Sequence, residues 1–397
     1  MGFSQFSSPY DWSRIADCKR VAAAHPGGMV DLSVGSPVDA VPLSVRGALT
    51  AASGEANAYG YPATAGTPEL RQAIADWFRD VRGVDLGAIN AGVVPTVGSK
   101  EAVALMASLL RLGPGDVVVQ PKVSYPTYEI GTQLAGATVL KVDDVSDVDS
   151  WRGVPNVRAV WVNSPCNPTG EVLSAEWLAE IVAAARQIGA VVLSDECYAL
   201  LDWRGERFRG GEPAGAGEAS AARSLMSAPC ALNAQVCEGT ASGVLVLYSL
   251  SKQSNMAGYR AAFIAGDHAL VNRMTAYRKQ IGQIVPGPVQ AAMAMGLRDL
   301  DAVAEQRERY RARLAALVEA LRAYGYDAAM PQGALYVWTR ARSGDCWRDM
   351  DDLARLGIVP SPGEFYGAPA YLRFSATAGD DAVAAAVERL GAAAASR

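Results

Sequence analysis

The 397 residues are half hydrophobic and 19% charged, with a formal net charge of −5, a balance that suits a globular chain with a sizeable core. Charges of both signs mix along the whole length, which argues against an extended nucleic-acid or anionic-membrane surface. Six cysteines without a C-x-x-C pair, two histidines, no signal-peptide pattern in MGFSQFSSPYDWSR and no run of about 18 apolar residues argue against a metal centre and a membrane span. The expectation is a cytoplasmic protein with reduced thiols.

From about residue 90 to 265 short apolar runs alternate with helical patterns, as in a largely parallel sheet wrapped by helices. Val93-Val94 lead into Gly98-Ser99-Lys100, and Val117-Val118-Val119 into Pro121 and Tyr125-Pro126. Val157 to Val162 lead into Asn163-Ser164-Pro165-Cys166-Asn167-Pro168-Thr169-Gly170, and Val191 to Leu193 into Ser194-Asp195-Glu196-Cys197-Tyr198. A fifth run, Val244 to Tyr248, ends in Ser249-Leu250-Ser251-Lys252. Ligands of open α/β sheets bind outside the carboxyl ends of the strands, so these polar residues are expected to converge on one site. Residues 205–240, rich in Gly, Ala, Ser and Glu without a clear period, read as a long surface loop with at most a short helix. Beyond about 270 the pattern is helical, with Leu314, Leu317, Val318 and Leu321 at helical spacing and Gly325 as C-cap. Short strands at Ala334 to Thr339 and Tyr371 to Ser375 and a helix near 380–393 complete an α+β companion unit.

Each candidate site residue has a structural reading beside its chemical one. Lys252, flanked by Ser249 and Ser251 with Arg260 eight residues on, can be a solvated lysine or an amine beside a phosphate cradle. Asp195 after an apolar run can be an N-cap, or a carboxylate paired with a pyridinium nitrogen. Asn167 lies in a good turn, and Tyr198 follows three residues after Asp195; either can donate to a phenolic ring oxygen. Gly98-Ser99-Lys100 at a helix start offers N–H groups to a phosphate. Tyr125 can be core or can stack on a planar ring. Arg373, in an apolar strand, needs an anion, either an internal carboxylate or that of a substrate.

Taken together, Tyr61 with Gly66, Gly98-Ser99-Lys100, Asn163-x-Pro-x-Asn167-Pro-Thr-Gly170, Asp195-x-x-Tyr198, Ser249-x-Ser-Lys252, Gly258-x-Arg260 and Arg373 resemble the class I/II aminotransferases. That resemblance implies the α/β fold type I of pyridoxal-phosphate-dependent transferases. Its large domain has a mostly parallel seven-stranded sheet between helices, here residues 36–270. Its smaller α+β domain corresponds to residues 1–35 and 271–397. It implies pyridoxal 5′-phosphate as cofactor, Lys252 as Schiff-base lysine and proton shuttle, and Asp195 on the pyridine nitrogen. Asn167 and Tyr198 then meet the ring oxygen, Ser99, Ser249 and Arg260 the phosphate, with Gly98, Lys100, Tyr125 and Ser251 around it. Arg373 holds the substrate α-carboxylate together with Asn167, and Gly35 lies near the substrate's path. Tyr61 reaches the phosphate of a neighbouring subunit, so a homodimer with shared sites is expected.

A closer resemblance, to succinyldiaminopimelate aminotransferases of lysine and cell-wall biosynthesis, rests on VDLSVGSPVD (30–39), YGYPATAGT (59–67), SYPTY (124–128), VPGPVQAA (285–292) and GEFYG (363–367). It implies glutamate as donor and an acceptor with a distal carboxylate, for which Arg14, Lys19, Lys122, Arg278 and Lys279 are candidate partners. The 205–240 segment is longer than that family usually carries. Aminotransferases for other amino acids, aromatic, alanine or aspartate, and β-lyases on the same fold would share every cofactor residue. A regulatory binding module would need an added DNA-binding region, for which the stretch before Asp31 has no room. A nicotinamide dehydrogenase would need a G-x-G-x-x-G after a strand, which is absent.

Overall fold

A computed structural model describes Phe6 and residues 10–56, 58–204 and 227–396. In chain order the first strands are β1 (Val30–Asp31), β2 (Ala91–Val97), β3 (Val117–Pro121), β4 (Thr138–Val142), β5 (Val157–Asn163), β6 (Val191–Asp195), β7 (Val244–Ser249) and β8 (Ala261–Asp267). After them come β9 (Tyr336–Arg340), β10 (Ile358–Val359), β11 (Ser361–Pro362) and β12 (Tyr371–Ser375). Seven strands form the main sheet in the order β2-β8-β7-β6-β5-β3-β4. All its neighbours are parallel except β8, which runs antiparallel to both β2 and β7. This is the α/β, mostly parallel seven-stranded architecture of fold type I.

The five valine-rich runs become β2, β3, β5, β6 and β7 because β-branched side chains fit a sheet covered on both faces. Strands β5 to β7 are almost wholly buried. The helices between them carry their own boundaries in sequence. Helix Pro68–Arg82 starts at Thr67, whose hydroxyl accepts from Leu70 N, has Pro68 in its first turn and stops at left-handed Gly83 (φ 64°). Helix Ala175–Gln187 is capped by Ser174 in the same way.

Around one face of the sheet a large apolar cluster gathers Trp77, Phe78, Val160, Val246 and Phe263, and a second takes in Val94, Trp161 and Leu247. A further cluster is built from Ile15, Val30, Leu317, Leu321, Leu353 and Phe374. It surrounds the three-stranded antiparallel sheet β11-β12-β9 and the parallel pair β1-β10. Helix Leu300–Ala323 matches the expected periodic segment, and Gly325 follows it at φ 100°.

The segment expected to be a surface loop differs. Residues 205–226 of it lie outside the described residues. From Ala228 onward the apolar side chains are buried, with Cys230, Ala231, Leu232, Val236 and Cys237 at 3% exposure or less, while Ala234, Gln235 and Glu238 to Thr240 are exposed as a surface loop would be. Small apolar residues let this stretch enter the main cluster. Its carbonyls are satisfied by the Arg186 guanidinium, which donates to Cys237, Thr240 and Ser242. All six cysteines are buried and free.

Candidate active site

The carboxyl ends of β5, β6 and β7 meet in one cavity of about 240 Å3. Asn163 and Asp195 end adjacent strands in register, and Asn163 shapes the turn after β5. Its amide donates to Asp195 O (2.9 Å) and Pro165 O (3.2 Å), and its carbonyl accepts from Asn167 N at 2.8 Å. The Asn-Pro-Thr-Gly turn is therefore pinned to the strand end that carries Asp195.

The Asp195 carboxylate is buried and accepts from Tyr128 Oη (2.8 Å) and Cys197 N (3.2 Å). Burial pushes its pKa up, against the pull of those two donors. Tyr128 is itself held by stacking on Trp161, with centroids 4.5 Å apart and planes 20° apart. Lys252 lies on the short helix Leu250–Gln253, which Ser249 caps by accepting from Ser251 N at 3.1 Å. Loss of water around the Lys252 amine lowers its pKa, and Arg373 and Arg260 push it further down. That favours the neutral, nucleophilic form. Its Nζ donates to Gly35 O.

Opposite this lysine, helix Ser99–Leu109 begins at Gly98, which has φ 80°. A side chain on Gly98 would collide with the Arg260 guanidinium. Arg260 is left-handed (φ 57°), a strained backbone for a non-glycine residue, and its Nη1 donates to Ala257 O at 2.6 Å. A bare helix N-terminus, a guanidinium and the Ser99, Ser249 and Ser251 hydroxyls thus line one end of the cavity, donors suited to a phosphate dianion.

At its other end stands Arg373 of β12, buried, with Nη1 donating to Asn167 Oδ1 and Nη2 to Ser33 O, both at 2.8 Å. Its Nε has no hydrogen-bond partner among the described residues. The guanidinium sits 4.1 Å from the Tyr336 ring centroid and 4.7 Å from that of Tyr366. The Tyr198 hydroxyl meets that of Tyr336 at 2.8 Å, and burial raises its pKa well above the usual phenol value.

Gly35, Ser99, Lys100, Tyr125, Asn167, Asp195, Tyr198, Ser249, Ser251, Lys252, Arg260 and Arg373 all line this cavity. Gly98 contributes by its missing side chain, and Tyr61, fully exposed, lies outside. None of the five candidate distal-carboxylate cations lines it. Arg14 pairs with Glu364, Lys19 with Asp31 and Arg278 with Glu101, Lys122 is within 3.6 Å of Asp143, and Lys279 is exposed. Tyr10, Trp12, Tyr128, Cys197, Tyr336 and Tyr366 also line the cavity, and sequence reasoning gave them no role. The available signals were Tyr128 within SYPTY and Tyr366 within GEFYG, which carried the resemblance without a role for either residue. Among the described residues no group of three His, Cys, Asp or Glu could hold a metal ion.

A buried carboxylate with no cation paired to it among the described residues, a lysine whose pKa burial lowers and an anion cradle fit pyridoxal phosphate. Fold and site define a pyridoxal-phosphate-dependent enzyme of fold type I. Residues 27–390 match the family described as aminotransferase class I and II, and the chain belongs to it. It is 42% identical over 383 residues to the 4-dedimethylamino-4-oxo-anhydrotetracycline transaminase OxyQ of Streptomyces rimosus (96% of this chain, 98% of that one). It is 41% identical to a probable aminotransferase of Mycobacterium tuberculosis, covering 98% of this chain and 86% of that one. A probable N-succinyldiaminopimelate aminotransferase from Thermus thermophilus shares the fold with a TM-score of 0.81 at 24% identity, over 96% of this chain and 99% of that one.

Proposed function

We propose that this aminotransferase moves an amino group between glutamate and N-succinyl-2-amino-6-oxopimelate, in two half-reactions on one site. When bound, the cofactor supplies an aldehyde carbon for the amine and a ring that takes up electron density. Lys252 would hold that carbon between turnovers and, once displaced, would take the proton from the substrate Cα. Asp195 keeps the ring nitrogen protonated. Asn167 and Tyr198 donate to the ring oxygen, and Tyr125 covers the ring face. Gly98, Ser99, Ser249, Ser251 and Arg260 grip the phosphate, and the orphaned Nε of Arg373 leaves its guanidinium ready for an α-carboxylate. Gly35 keeps the substrate's path open beside Lys252.

The observation that favours an acceptor with a second carboxylate is Lys100. Its exposed ammonium lines the same cavity, 5.5 Å from the Tyr10 ring centroid, and no carboxylate among the described residues pairs with it. On this reading Lys100, expected near the cofactor's phosphate, serves the distal end of the substrate. A second reading, an acceptor with a neutral aromatic body, is favoured by the wall of Tyr10, Trp12, Tyr336 and Tyr366 and by the likeness to OxyQ, whose name gives a polycyclic ketone.

Mixing cofactor-loaded protein with each amino donor and following the cofactor's visible band separates the two. Rapid bleaching by both glutamate and N-succinyl-diaminopimelate supports the first reading. Bleaching by glutamate alone refutes it. The further proposals are a cytoplasmic location, the division into 36–270 and 1–35 with 271–397, which the separate cluster of Ile15, Leu317, Leu353 and Phe374 supports although Val285 to Val303 pack with the main-sheet cluster, and a homodimer. Tyr59 and Tyr61, 90% and 100% exposed, support the dimer, with Tyr61 reaching the partner's phosphate site. Sedimentation velocity reads that assembly directly, and a monomer at micromolar concentration would refute it.

A further inference from the structure

Tyr336 is 1% exposed and still reaches the cavity from β9. Its hydroxyl lies 2.8 Å from the Tyr198 hydroxyl, and the Arg373 guanidinium rests 4.1 Å from its ring centroid. That hydroxyl also occupies the space a Gly35 side chain would fill, while Gly35 O accepts from Lys252 Nζ. One phenol therefore touches the backbone beside the lysine, the tyrosine on the cofactor's ring oxygen and the arginine of the carboxylate site. An aromatic with only a packing role would not need its polar atom at that junction.

We propose that Tyr336 is a positioning residue that ties the carboxylate site at Arg373 to the Tyr198 hydroxyl and so sets the proton affinity of the bound cofactor. The inference rests on Tyr198 serving the ring oxygen. To donate there, Tyr198 spends its only O–H, and its oxygen is then free to accept. The Tyr336 O–H is placed to donate to it. A hydroxyl that accepts a hydrogen bond becomes a stronger donor, so Tyr336 strengthens the bond that stabilises negative charge on the ring oxygen. The cation over the Tyr336 ring acts in the same direction, because it draws density from the phenol and sharpens its O–H as a donor. A carboxylate bound to Arg373 neutralises that pull. Donation along the chain then weakens, and the cofactor's proton affinity rises when the site fills. The ionisable groups facing Tyr336 are Tyr198, Arg373, Lys252, Tyr366, Tyr125 and Tyr310. Of these only Arg373 is both cationic and stacked on its ring.

The test is a pH titration of the cofactor's visible absorbance in loaded wild-type and Tyr336→Phe protein, with and without saturating acetate, which carries the carboxylate and nothing more. The expected result is a midpoint about 0.2–0.5 pH unit higher in the variant, with an acetate-induced rise less than half that of wild type. If the Phe variant does not retain cofactor, Gly35→Ala, which keeps the phenol but displaces its hydroxyl, carries the same comparison. An unchanged midpoint with an unchanged acetate response overturns the proposal, even if the variant melts earlier or turns over more slowly. Loss of the aminotransferase reading itself would show differently, as no bleaching of the wild-type band by any amino donor.

Discussion

Behind the residues that face the cavity, Arg82 and Glu196 form an ion pair whose side chains are each 1% exposed, and Glu196→Gln tests what it contributes. Glu196 Oε2 accepts from Arg82 Nη2 at 2.6 Å, and Oε1 accepts from Ala231 N (2.8 Å) and Ser194 Oγ (3.0 Å). One carboxylate thus joins helix Pro68–Arg82, the end of β6 and the buried segment after residue 227. An amide of the same shape has one acceptor oxygen. Turned toward Arg82, it presents donors to Ala231 N–H and Ser194; turned the other way, it presents donors to the guanidinium. Either way the Arg82 charge loses its counter-ion, keeping at most one neutral amide oxygen besides Pro229 O at 3.4 Å among the described residues. Its Nε and Nη1 have no hydrogen-bond partner among the described residues. Solvent cannot screen a pair this deep, so the loss falls in the range for a broken buried pair, about 3–5 kcal/mol. Adding Arg82→Met removes the stranded charge and should restore most of that loss, because an apolar pair of similar volume avoids the desolvation cost. Urea unfolding of cofactor-free protein, followed by circular dichroism, reads both changes without ligand linkage. A single variant within about 1 kcal/mol of wild type, or a double variant less stable than the single, refutes the reasoning.

Three other outcomes are expected. Lys252→Ala should abolish the cofactor band that borohydride reduces, and a retained reducible band would remove the lysine from its role. Arg373→Lys should raise the apparent KM for every α-amino acid by about 10–100-fold, the loss of one charged hydrogen bond of a fork; a rise confined to one substrate would show that Arg373 reads a side chain. In cofactor-free protein burial raises the Asp195 pKa above 3.8. The folded state therefore holds that proton more tightly than the unfolded chain. Its stabilisation is complete below the unfolded value and is lost as pH rises through the folded one. Asp195→Asn, which cannot titrate, removes this term, so the stability of wild type relative to the variant should fall across that window. A difference in urea midpoints that does not vary with pH there would refute it.

The sheet was legible where its strands are buried on both faces, since β6 and β7 open as unbroken Val and Leu runs and β5 is apolar apart from Arg158 and its terminal Asn163. Strand β4 escaped because it is the edge of the sheet, and Thr138–Val142 buries fully only its last residue. Strand β8 escaped for a different reason. Ala261–Asp267 opens with two alanines, which carry no β-branched signal, and nothing in a single strand encodes that it will run antiparallel between β2 and β7. The apolar residues after 227 were misread because the Gly, Ala, Ser and Glu of the residues before them set the composition of the whole 205–240 segment, while the alanines, cysteines and Leu232 that enter the core set their burial.

The same division runs through the site. Asp195, Asn167, Ser249 and Lys252 were legible because each comes after an apolar run, where a polar side chain at a strand end has to face a ligand. Tyr336 and Arg373 lie on neighbouring antiparallel strands, with Arg373 opposite Trp338 in register. An arginine there demands an anion, but a tyrosine looks like any core aromatic until its hydroxyl is found against Tyr198. Residues proposed to hold the cofactor thus announce themselves by chemistry that is costly to bury. Residues that shape its surroundings are aromatic and cheap to bury, so only geometry separates them from packing. The substrate end of the cavity is built mostly from that second kind, Tyr10, Trp12, Tyr336 and Tyr366. This is the physical reason that cofactor and reaction class emerge from the sequence far more sharply than the identity of the amino acceptor.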